Sequence, residues 1–334
     1  PGGAPYASVE GAVWIQNAGF VWVPILGACA LAAWLLMDNL PMHAGRPVHV
    51  ALAKYLWLEL LGLAGAAAGI ALMLTLPLPE IARILIVVLT AIVATLLMMR
   101  FLTPSALRGS LLRQFNVFSN RHTWIMTWLY TMTFGSFIGY SAAFPKLIAD
   151  VFGYARVDAS GRLLAEPQRL ADAPNALTYA FLGALVGSLA RPVGGWLSDR
   201  LGGARITHWD TLVMIASTVG VAWCVMQARY APDPGTYFIP FLLLFLLLFV
   251  TTGIGNGSTF RMIPLIFAKD QAGPVLGWTS AVAAYGAFLV PITFATHIRA
   301  GTPEYALYGF LAYYVSCLLV NWWFYARQGA EIAC

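Results

Sequence analysis

The chain has 334 residues, of which 60% are hydrophobic and only 10% are charged. A soluble domain carries about 25% charged residues, so this composition excludes an ordinary water-soluble globule. The net charge of +5 could indicate nucleic-acid binding, but the basic residues lie between long apolar runs and are not gathered on one face. We therefore predict an all-α integral membrane protein without a nucleic-acid partner.

Nine apolar stretches have the length of about 20 residues that a membrane-spanning helix needs. In lipid the backbone must satisfy its own hydrogen bonds, so a spanning segment is a helix or a strand of a closed barrel. Runs of this length exclude barrel strands. The predicted helices are 12–37, 55–77, 81–101, 123–145, 175–197, 206–228, 236–260, 274–297 and 304–327.

The chain opens Pro1-Gly2-Gly3, with no initiating Met and no basic segment ahead of the first apolar run. That run is also too long for the core of a signal peptide. We therefore expect a break in a longer gene product and not a targeting sequence.

The positions of Lys and Arg predict the orientation, because the cytoplasmic loops of membrane proteins are enriched in these residues. With the N-terminus outside, eleven of them fall in cytoplasmic segments and seven fall outside, four of these along the long loop 146–174. We expect this loop to be a solvated connection with a short surface helix, and the C-terminal tail 328–334 to be cytoplasmic. The cytoplasmic segments are 38–54, 100–122, 198–205, 261–273 and 327–334.

Helices 55–77 and 81–101 are joined by only Leu78-Pro79-Glu80 and carry no charge at midspan. This pattern predicts a tight helical hairpin. The basic segment 102–122 contains Pro104 and Gly109, which is typical of a linker between two helical groups.

Arg191 lies inside the apolar run 175–197, where a central charge costs about 2.5–3.5 kcal/mol on insertion scales. Gly183, Gly187 and Arg191 follow at intervals of four and share one helix face. Their guanidinium and small residues suit a planar oxyanion held in a cavity. The alternative is an Arg that extends to the membrane surface from a site near the helix end.

The loop after this helix reads Gly195-Trp196-Leu197-Ser198-Asp199-Arg200-Leu201-Gly202-Gly203-Ala204-Arg205. This pattern resembles the cytoplasmic loop motif of the major facilitator superfamily. Its glycines, among them Gly195 and Gly202, permit a sharp reversal between helices. We expect Asp199 to accept hydrogen bonds from a helix N-terminus, and Arg200 and Arg205 to anchor the loop at the anionic leaflet.

Three further helices carry small or aromatic residues whose role the pattern alone leaves open. Gly253 and Gly257 form a G-x-x-x-G pair typical of close helix packing. The face with Gly277, Ser280, Ala281 and Ala284 suits packing or an anion path equally. Tyr130 and Phe134 are neighbours at i and i+4, beside Gly135 and Gly139, and can be core residues or substrate contacts.

The cysteines and histidines give no pattern for a metal or a redox group. No two histidines lie within one helix at ligand spacing, which disfavours a haem or metal enzyme. We therefore predict no cofactor and no metal, no enzymatic activity, and burial of the cysteines that lie in apolar runs. The residues concerned are Cys29, Cys224, Cys317 and Cys334, and His43, His49, His122, His208 and His297.

Several uncommon strings resemble the nitrate/nitrite porter family of the major facilitator superfamily, in the family's order. Trp22-Val23-Pro24 with Ala32-Ala33-Trp34 is similar to the sixth helix of that family. The other strings are Thr133-Phe134-Gly135-Ser136-Phe137-Ile138-Gly139-Tyr140-Ser141-Ala142, Ser198-Asp199-Arg200-Leu201-Gly202-Gly203 and Gly255-Asn256-Gly257-Ser258-Thr259-Phe260.

The resemblance implies a twelve-helix fold with two halves and an anion held between them by two Arg residues. It implies that Arg191 is one of these, that Tyr130 and Phe134 contact the substrate, and that Ser280 and Gly277 belong to the nitrate motif. Ala283 and Ala287 replace glycines of that motif.

The implied domains are the last helix of the N-terminal bundle (1–37), an extra hairpin with linker (38–122) and a C-terminal six-helix bundle (123–327). The first five helices would be missing from this chain, and with them the partner Arg. The expected partners are nitrate or nitrite, the bilayer of the inner (plasma) membrane, and the missing N-terminal half.

The resemblance implies nitrate/nitrite transport by alternating access. Exchange of the two anions is favoured because we find no carboxylate at midspan of the last six helices. A non-transporting scaffold or half-transporter, a porter for another small solute, and proton/nitrate symport are the alternatives.

Overall fold

A computed structural model describes residues 6–8, 11–13, 19–20, 22–37, 47–332 and 334. The chain divides into two compact units, Pro1–Trp57 and Leu58–Cys334. The opening Pro1-Gly2-Gly3 and most of the predicted cytoplasmic segment 38–54, including Arg46, lie outside the described residues.

In the described part of the first unit there are a short β-hairpin, one complete helix and the start of the helix Val48–Thr75. Strand β1 (Tyr6–Ser8) pairs antiparallel with β2 (Gly11–Val13), and helix α1 comprises Trp22–Leu36. The prediction of one helix over 12–37 is therefore wrong at its start, because residues 12 and 13 pair with a strand. Pro24 lies in the first turn of α1, the part of a helix that tolerates proline. The 15 residues of α1 extend about 22 Å, which is less than the ~30 Å thickness of the hydrocarbon core.

The predicted hairpin is confirmed. Helices α2 (Val48–Thr75) and α3 (Glu80–Phe101) are joined by a four-residue turn that contains Pro79. Gly65 of α2 is buried against Thr95 and Ala91 of α3, so the absence of a side chain lets the two helices approach closely. Glu80 accepts hydrogen bonds from Thr296 (3.0 Å) and Arg299 (3.2 Å).

The segment 102–122, predicted as a linker, is itself mostly helical. It contains α4 (Ser105–Phe115) and a 3-10 turn (Asn116–Ser119). Pro104 directly precedes α4, and its carbonyl accepts from the backbone N–H groups of Leu107 and Arg108. Proline is favourable at a helix start, where its missing N–H would have no partner.

One long helical run contains the predicted helix 123–145. It is formed by α5 (Arg121–Tyr130), a π-turn (Thr131–Gly135) and α6 (Ser136–Phe152). The side chain of Asn120 caps its start by accepting from the backbone N–H of His122 at 2.9 Å.

The expectation of a short surface helix in loop 146–174 is wrong. Helix α6 continues to Phe152, and the loop then forms an antiparallel hairpin of β3 (Tyr154–Val157) and β4 (Leu163–Arg169). Gly161 in its turn has φ +79°, a conformation that favours glycine.

The remaining predicted helices are present and most extend beyond their predicted ends. The run 274–297 is broken near Ala284 and Tyr285 into two helices. The observed elements are α7 (Ala176–Leu201), α8 (Gly203–Tyr230), a 3-10 turn (Pro234–Tyr237), α9 (Phe238–Ile266), α10 (Lys269–Ala283), α11 (Gly286–Arg299), α12 (Pro303–Asn321) and a π-turn (Trp322–Ala326).

Within the described ranges, seven helical runs are long and apolar enough to cross a membrane. They correspond to the predicted helices 55–77, 81–101, 175–197, 206–228, 236–260, 274–297 and 304–327. The predicted all-α membrane class is therefore confirmed. The run 121–152 is long enough, but it is not among these seven.

Buried aromatic residues fill the core of the second unit. Phe144 stacks on Phe245 with ring centroids 4.9 Å apart, and Phe245 and Phe249 of α9 contact Tyr140 of α6. Cys224 and Cys317 are also buried there, but Cys29 is exposed. The expectation of burial is therefore wrong for Cys29, whose helix belongs to the smaller first unit.

Candidate functional site

Glycines bring α7 and α9 into backbone contact. A methyl group added at Gly253 would meet the carbonyl of Gly187, and one added at Gly257 would meet the carbonyl of Arg191. Gly183 lies against the ring of Phe249. The predicted face of Gly183, Gly187 and Arg191 therefore packs closely at its glycines.

The guanidinium of Arg191 lies against aromatic rings of the long helical run. Its central carbon is 4.4 Å from the ring centroid of Phe137 and 5.4 Å from that of Phe134, distances typical of cation–π interactions. The residue is half-buried, and its Nε and Nη2 atoms are buried without a hydrogen-bond partner. Unpaired buried donors are costly, so this guanidinium is suited to an oxyanion ligand.

Tyr130 provides a second polar group beside Arg191. Its ring stacks on Phe134 with centroids 5.4 Å apart. Asn256 of α9 donates to its hydroxyl at 3.4 Å, and Ser280 of α10 presents its own hydroxyl to the same phenol. The structure thus brings together four of the predicted or implied site positions, Arg191, Tyr130, Phe134 and Ser280.

The π-turn explains how the aromatic residues reach the site. It begins directly after Tyr130 and contains Phe134 and Gly135, and such turns are frequent at functional sites. Gly135 contacts the backbone of Gly286, and Gly139 lies against Val290. Phe134 of this turn faces Arg191, while the glycines allow α11 to approach.

Gly277 lies apart from this group. It lines a cavity of about 630 Å³ together with Gly62, Thr95, Phe118 and Tyr285, and no atom lies near the position of a β-carbon added to it. Gly277 therefore faces α2 and α3, while Ser280 reaches Tyr130.

The loop motif forms a tight reversal at one end of the bundle. Gly202, the single residue between α7 and α8, has φ +91°, which favours glycine. Arg205 is exposed, and the backbone of Gly195 directly adjoins Gly257. The sharp turn expected from the glycines is present.

One expectation for this motif needs correction. Asp199 accepts from the side chain of Arg261 at the end of α9, and no helix N-terminus among the described residues donates to it. The exposed guanidinium of Arg200 lies 4.2 Å from the ring centroid of Trp196, one helical turn away, and the anchoring of the loop at the anionic leaflet stays a prediction. Arg261 offers a full charge on an adjacent helix end, which is a stronger partner than a backbone amide.

Sequence reasoning missed three residues of this region. Asn256 occurs in a matched string, but nothing in that string assigned it to Tyr130. Phe137 follows Phe134 at i+3 and shares its face, a signal that could have found it. Asp210 of α8 is 7% exposed and lies near the start of predicted helix 206–228, outside its midspan, so the search for carboxylates at midspan did not point to it.

The fold and this group of side chains define the class of the molecule. It is a multi-pass helical membrane protein with an unpaired guanidinium held among aromatic and hydroxyl groups between its helices.

Comparison with known proteins finds relatives that align with most of this chain. The chain is 34% identical over 332 residues to the probable nitrate/nitrite antiporter NarK2 of Thermus thermophilus, covering 99% of this chain and 56% of that protein. It is 28% identical over 331 residues to the nitrate/nitrite transporter NarU of Escherichia coli, covering 92% and 59%. The nitrite extrusion protein of Bacillus subtilis is 29% identical over 216 residues, covering 64% and 47%.

No protein-family model matches the chain. Among solved structures, a bacterial homologue of the iron transporter ferroportin in an outward-facing state aligns with TM-score 0.44 and 16% identity. That alignment covers 76% of this chain and 58% of that one. The likeness is too low to add an argument.

The chain is thus similar over nearly its whole length to part of proteins named as nitrate/nitrite transporters. It spans about half the length of the curated relatives it matches.

Proposed function

We propose that this chain is the anion-binding C-terminal part of a transporter that moves nitrate and nitrite by alternating access. The observation that carries the proposal is the guanidinium of Arg191, which has two buried nitrogens without partners beside the hydroxyl of Tyr130. Relatives named as nitrate/nitrite transporters support the choice of anion.

The surroundings of Arg191 suit a small planar anion. A guanidinium can donate two in-plane hydrogen bonds to two oxygens of nitrate or nitrite. The rings of Phe134 and Phe137 exclude water from one side of the cation and limit the size of the ligand. Tyr130 can donate a further hydrogen bond, because Asn256 donates to it and leaves its own proton free.

The rest of the transporter would complete the site. We propose that residues 1–37 end an N-terminal bundle, 38–122 form an added hairpin and linker, 123–327 form the C-terminal bundle and 328–334 a tail. The missing half would supply a second cation and the opposite wall of the anion path. The two halves would rock around the fixed site in the inner membrane, with the C-terminus in the cytoplasm, and no catalytic step is required.

Exchange of nitrate for nitrite is the mode we propose, since the Thermus relative is named an antiporter. Both anions carry one negative charge, so exchange moves no net charge. The pairing of Asp199 with Arg261 joins the ends of α7 and α9 and would close the cytoplasmic side in one of the two states.

Substitution Arg191→Lys tests the proposal in the complete transporter, reconstituted in liposomes loaded with nitrite. We expect uptake of isotope-labelled nitrate to fall by about 10-fold or more, because Lys cannot form the paired in-plane contact. The matched control is Arg162→Lys, an exposed residue directly before β4, which should leave uptake unchanged.

Two results would contradict the proposal. One is nitrate uptake by Arg191→Lys equal to that of the wild type. The other is a wild-type transporter that exchanges neither anion while remaining folded and monodisperse in detergent.

A further inference from the structure

Asp210 is a buried acid that the anion site does not use. It lies on α8, is 7% exposed, and its Oδ2 atom is buried with no hydrogen-bond partner. Among the described residues no cation forms an ion pair with it. A carboxylate ion without a partner is strongly disfavoured in an apolar interior, whereas the neutral acid is tolerated.

Asp210 meets the π-turn at a glycine. A methyl group added at Gly255 would lie 2.6 Å from Oδ2 of Asp210 and 2.6 Å from Cγ2 of Thr133. The carboxyl group, the glycine of α9 and a residue of the π-turn therefore converge at one point. Thr133 in turn contacts the hydroxyl of Thr259 at 3.2 Å and the carbonyl of Tyr130 at 3.3 Å.

In the part of the chain that the structure describes, two charged or titratable groups on α8 and the elements packed against it have buried nitrogens without a partner, Arg191 of the anion site and His208. Others are engaged with partners of their own. Tyr130 forms a hydrogen bond with Asn256, and Arg261 of α9 forms an ion pair with Asp199 of α7. Tyr314 of α12 forms hydrogen bonds with Tyr140 and Ser136, Tyr325 forms one with His122, and the thiol of Cys317 faces the carbonyl of Trp128. On α8 itself, the Nδ1 atom of His208 is buried without a partner.

We propose that Asp210 is a proton-binding positioning residue for the anion site. The neutral acid packs α8 against the π-turn, which follows Tyr130 and contains Phe134. Loss of its proton places a charge against Thr133 and Gly255, which loosens the turn and moves both aromatic residues away from Arg191. This inference rests on the proposed transport function and adds a dependence on pH to it.

Infrared spectroscopy of the purified protein tests the bound proton without any transport assay. We expect a carboxylic-acid C=O band at neutral pH that disappears in Asp210→Asn and persists in Asp270→Asn, an exposed acid at the start of α10. If Asp210→Asn does not fold, Asp210→Glu keeps the acid and should shift the band. A spectrum without the band, or a band that neither variant alters, would overturn the proposal.

The pH profile of nitrate/nitrite exchange tests the positioning role. With equal pH on both sides of the liposome membrane, wild-type exchange should fall towards alkaline pH with a slope of about one decade per pH unit, as for a single titrating group. Asp210→Asn, which cannot ionise, should lack this decline. Asp210→Glu should retain it, and Asp270→Asn should follow the wild type.

The outcomes separate the two proposals. A wild-type profile without an alkaline decline, or an unchanged decline in Asp210→Asn, overturns the role of Asp210 and leaves anion exchange intact. A wild type that exchanges no anion at any pH overturns the transport function, while the infrared band still reports whether Asp210 holds a proton.

Discussion

The aromatic neighbours of Arg191 stabilise its charge without using the hydrogen-bond donors at Nε and Nη2. The rings of Phe134 and Phe137 stabilise its charge by cation–π contact, which at a desolvated site is worth about 2 kcal/mol. They accept no hydrogen bond from Nε or Nη2. A buried cation that is stabilised but not neutralised keeps its ability to bind an anion, which a carboxylate neighbour would remove.

Tyr130→Phe should weaken anion binding without disturbing the stacking on Phe134. The variant keeps the ring but loses the hydroxyl that faces Asn256 and Ser280. A hydrogen bond to a charged group contributes about 1.5–3 kcal/mol, so we expect nitrate affinity to fall by roughly 10- to 100-fold. Isothermal titration of the complete transporter with nitrate measures this loss.

Tyr305→Phe is the matched control, because Tyr305 of α12 is 55% exposed. It should bind nitrate as the wild type does. Equal affinities for Tyr130→Phe and Tyr305→Phe would remove Tyr130 from the set of anion contacts.

At the scale of elements, glycine contacts between α7 and α9 fix the position of Arg191 relative to α9. The carbonyl of Gly187 occupies the space that a β-carbon at position 253 would need, and the carbonyl of Arg191 occupies that space at position 257. Gly194 adds a contact with Ile254 that the G-x-x-x-G pattern did not indicate. Small residues at such crossings let dispersion forces hold helices together in lipid.

Gly253→Ala should destabilise the bundle, since its methyl group would overlap the backbone of Gly187 and lie 2.9 Å from Cβ of Ala190. Overpacking of this kind typically costs about 1–3 kcal/mol. Thermal unfolding in detergent, followed by intrinsic tryptophan fluorescence, should show a lower midpoint.

Gly309→Ala provides the comparison, because no atom lies within 4 Å of a β-carbon added at Gly309 of α12. Its midpoint should stay the same or rise, since alanine favours a helix by up to about 1 kcal/mol over glycine. A midpoint for Gly253→Ala at or above that of Gly309→Ala would show that the contact with α7 does not limit stability.

The long apolar helices were predictable from sequence because burial in lipid requires runs of about 20 apolar residues. Local departures from regular helices were not predictable from the sequence. The π-turn after Tyr130 and the break near Ala284 and Tyr285 depend on contacts between α5, α6 and α11, which no single stretch of sequence encodes. The β3–β4 hairpin was missed because its charged residues favour no periodicity.

The site was predictable only where a residue type was unusual for its place. Arg191 stood out as a charge in an apolar run, and Tyr130, Phe134 and Ser280 followed from family resemblance. Asp210 lies five residues inside predicted helix 206–228, where an acid can still belong to a helix end. Its burial by Gly255 and Thr133 is a tertiary effect.

At the scale of the whole second unit, the segment after α12 contacts the first residues of α5 and α8. Glu331 accepts from Arg121, and the Nε2 atom of the buried His122 lies 3.3 Å from the same carboxylate. The carbonyl of Cys334 accepts from the backbone N–H of Ala204 at 3.0 Å. These contacts join the first residues of α5 and α8 to the segment after α12.

Acid should release this segment. The hydrogen bond from Arg121 holds the pKa of Glu331 below its ordinary value of 4.5, so the contact favours the attached state above that pH. Its contribution is lost as the pH falls through the lowered value, because the neutral acid no longer attracts Arg121. We expect cleavage after residue 326 to accelerate at low pH when it is measured with a protease active from acidic to neutral pH. Mass spectrometry of the released peptide gives the rate, which is divided by the rate for a free peptide of the same sequence at each pH. Glu331→Gln should be cleaved at the fast rate at every pH, whereas Glu166→Gln, an exposed change on β4, should keep the wild-type pH dependence. Equal cleavage of the wild type and Glu331→Gln at neutral pH would mean that the carboxylate does not hold the segment in place.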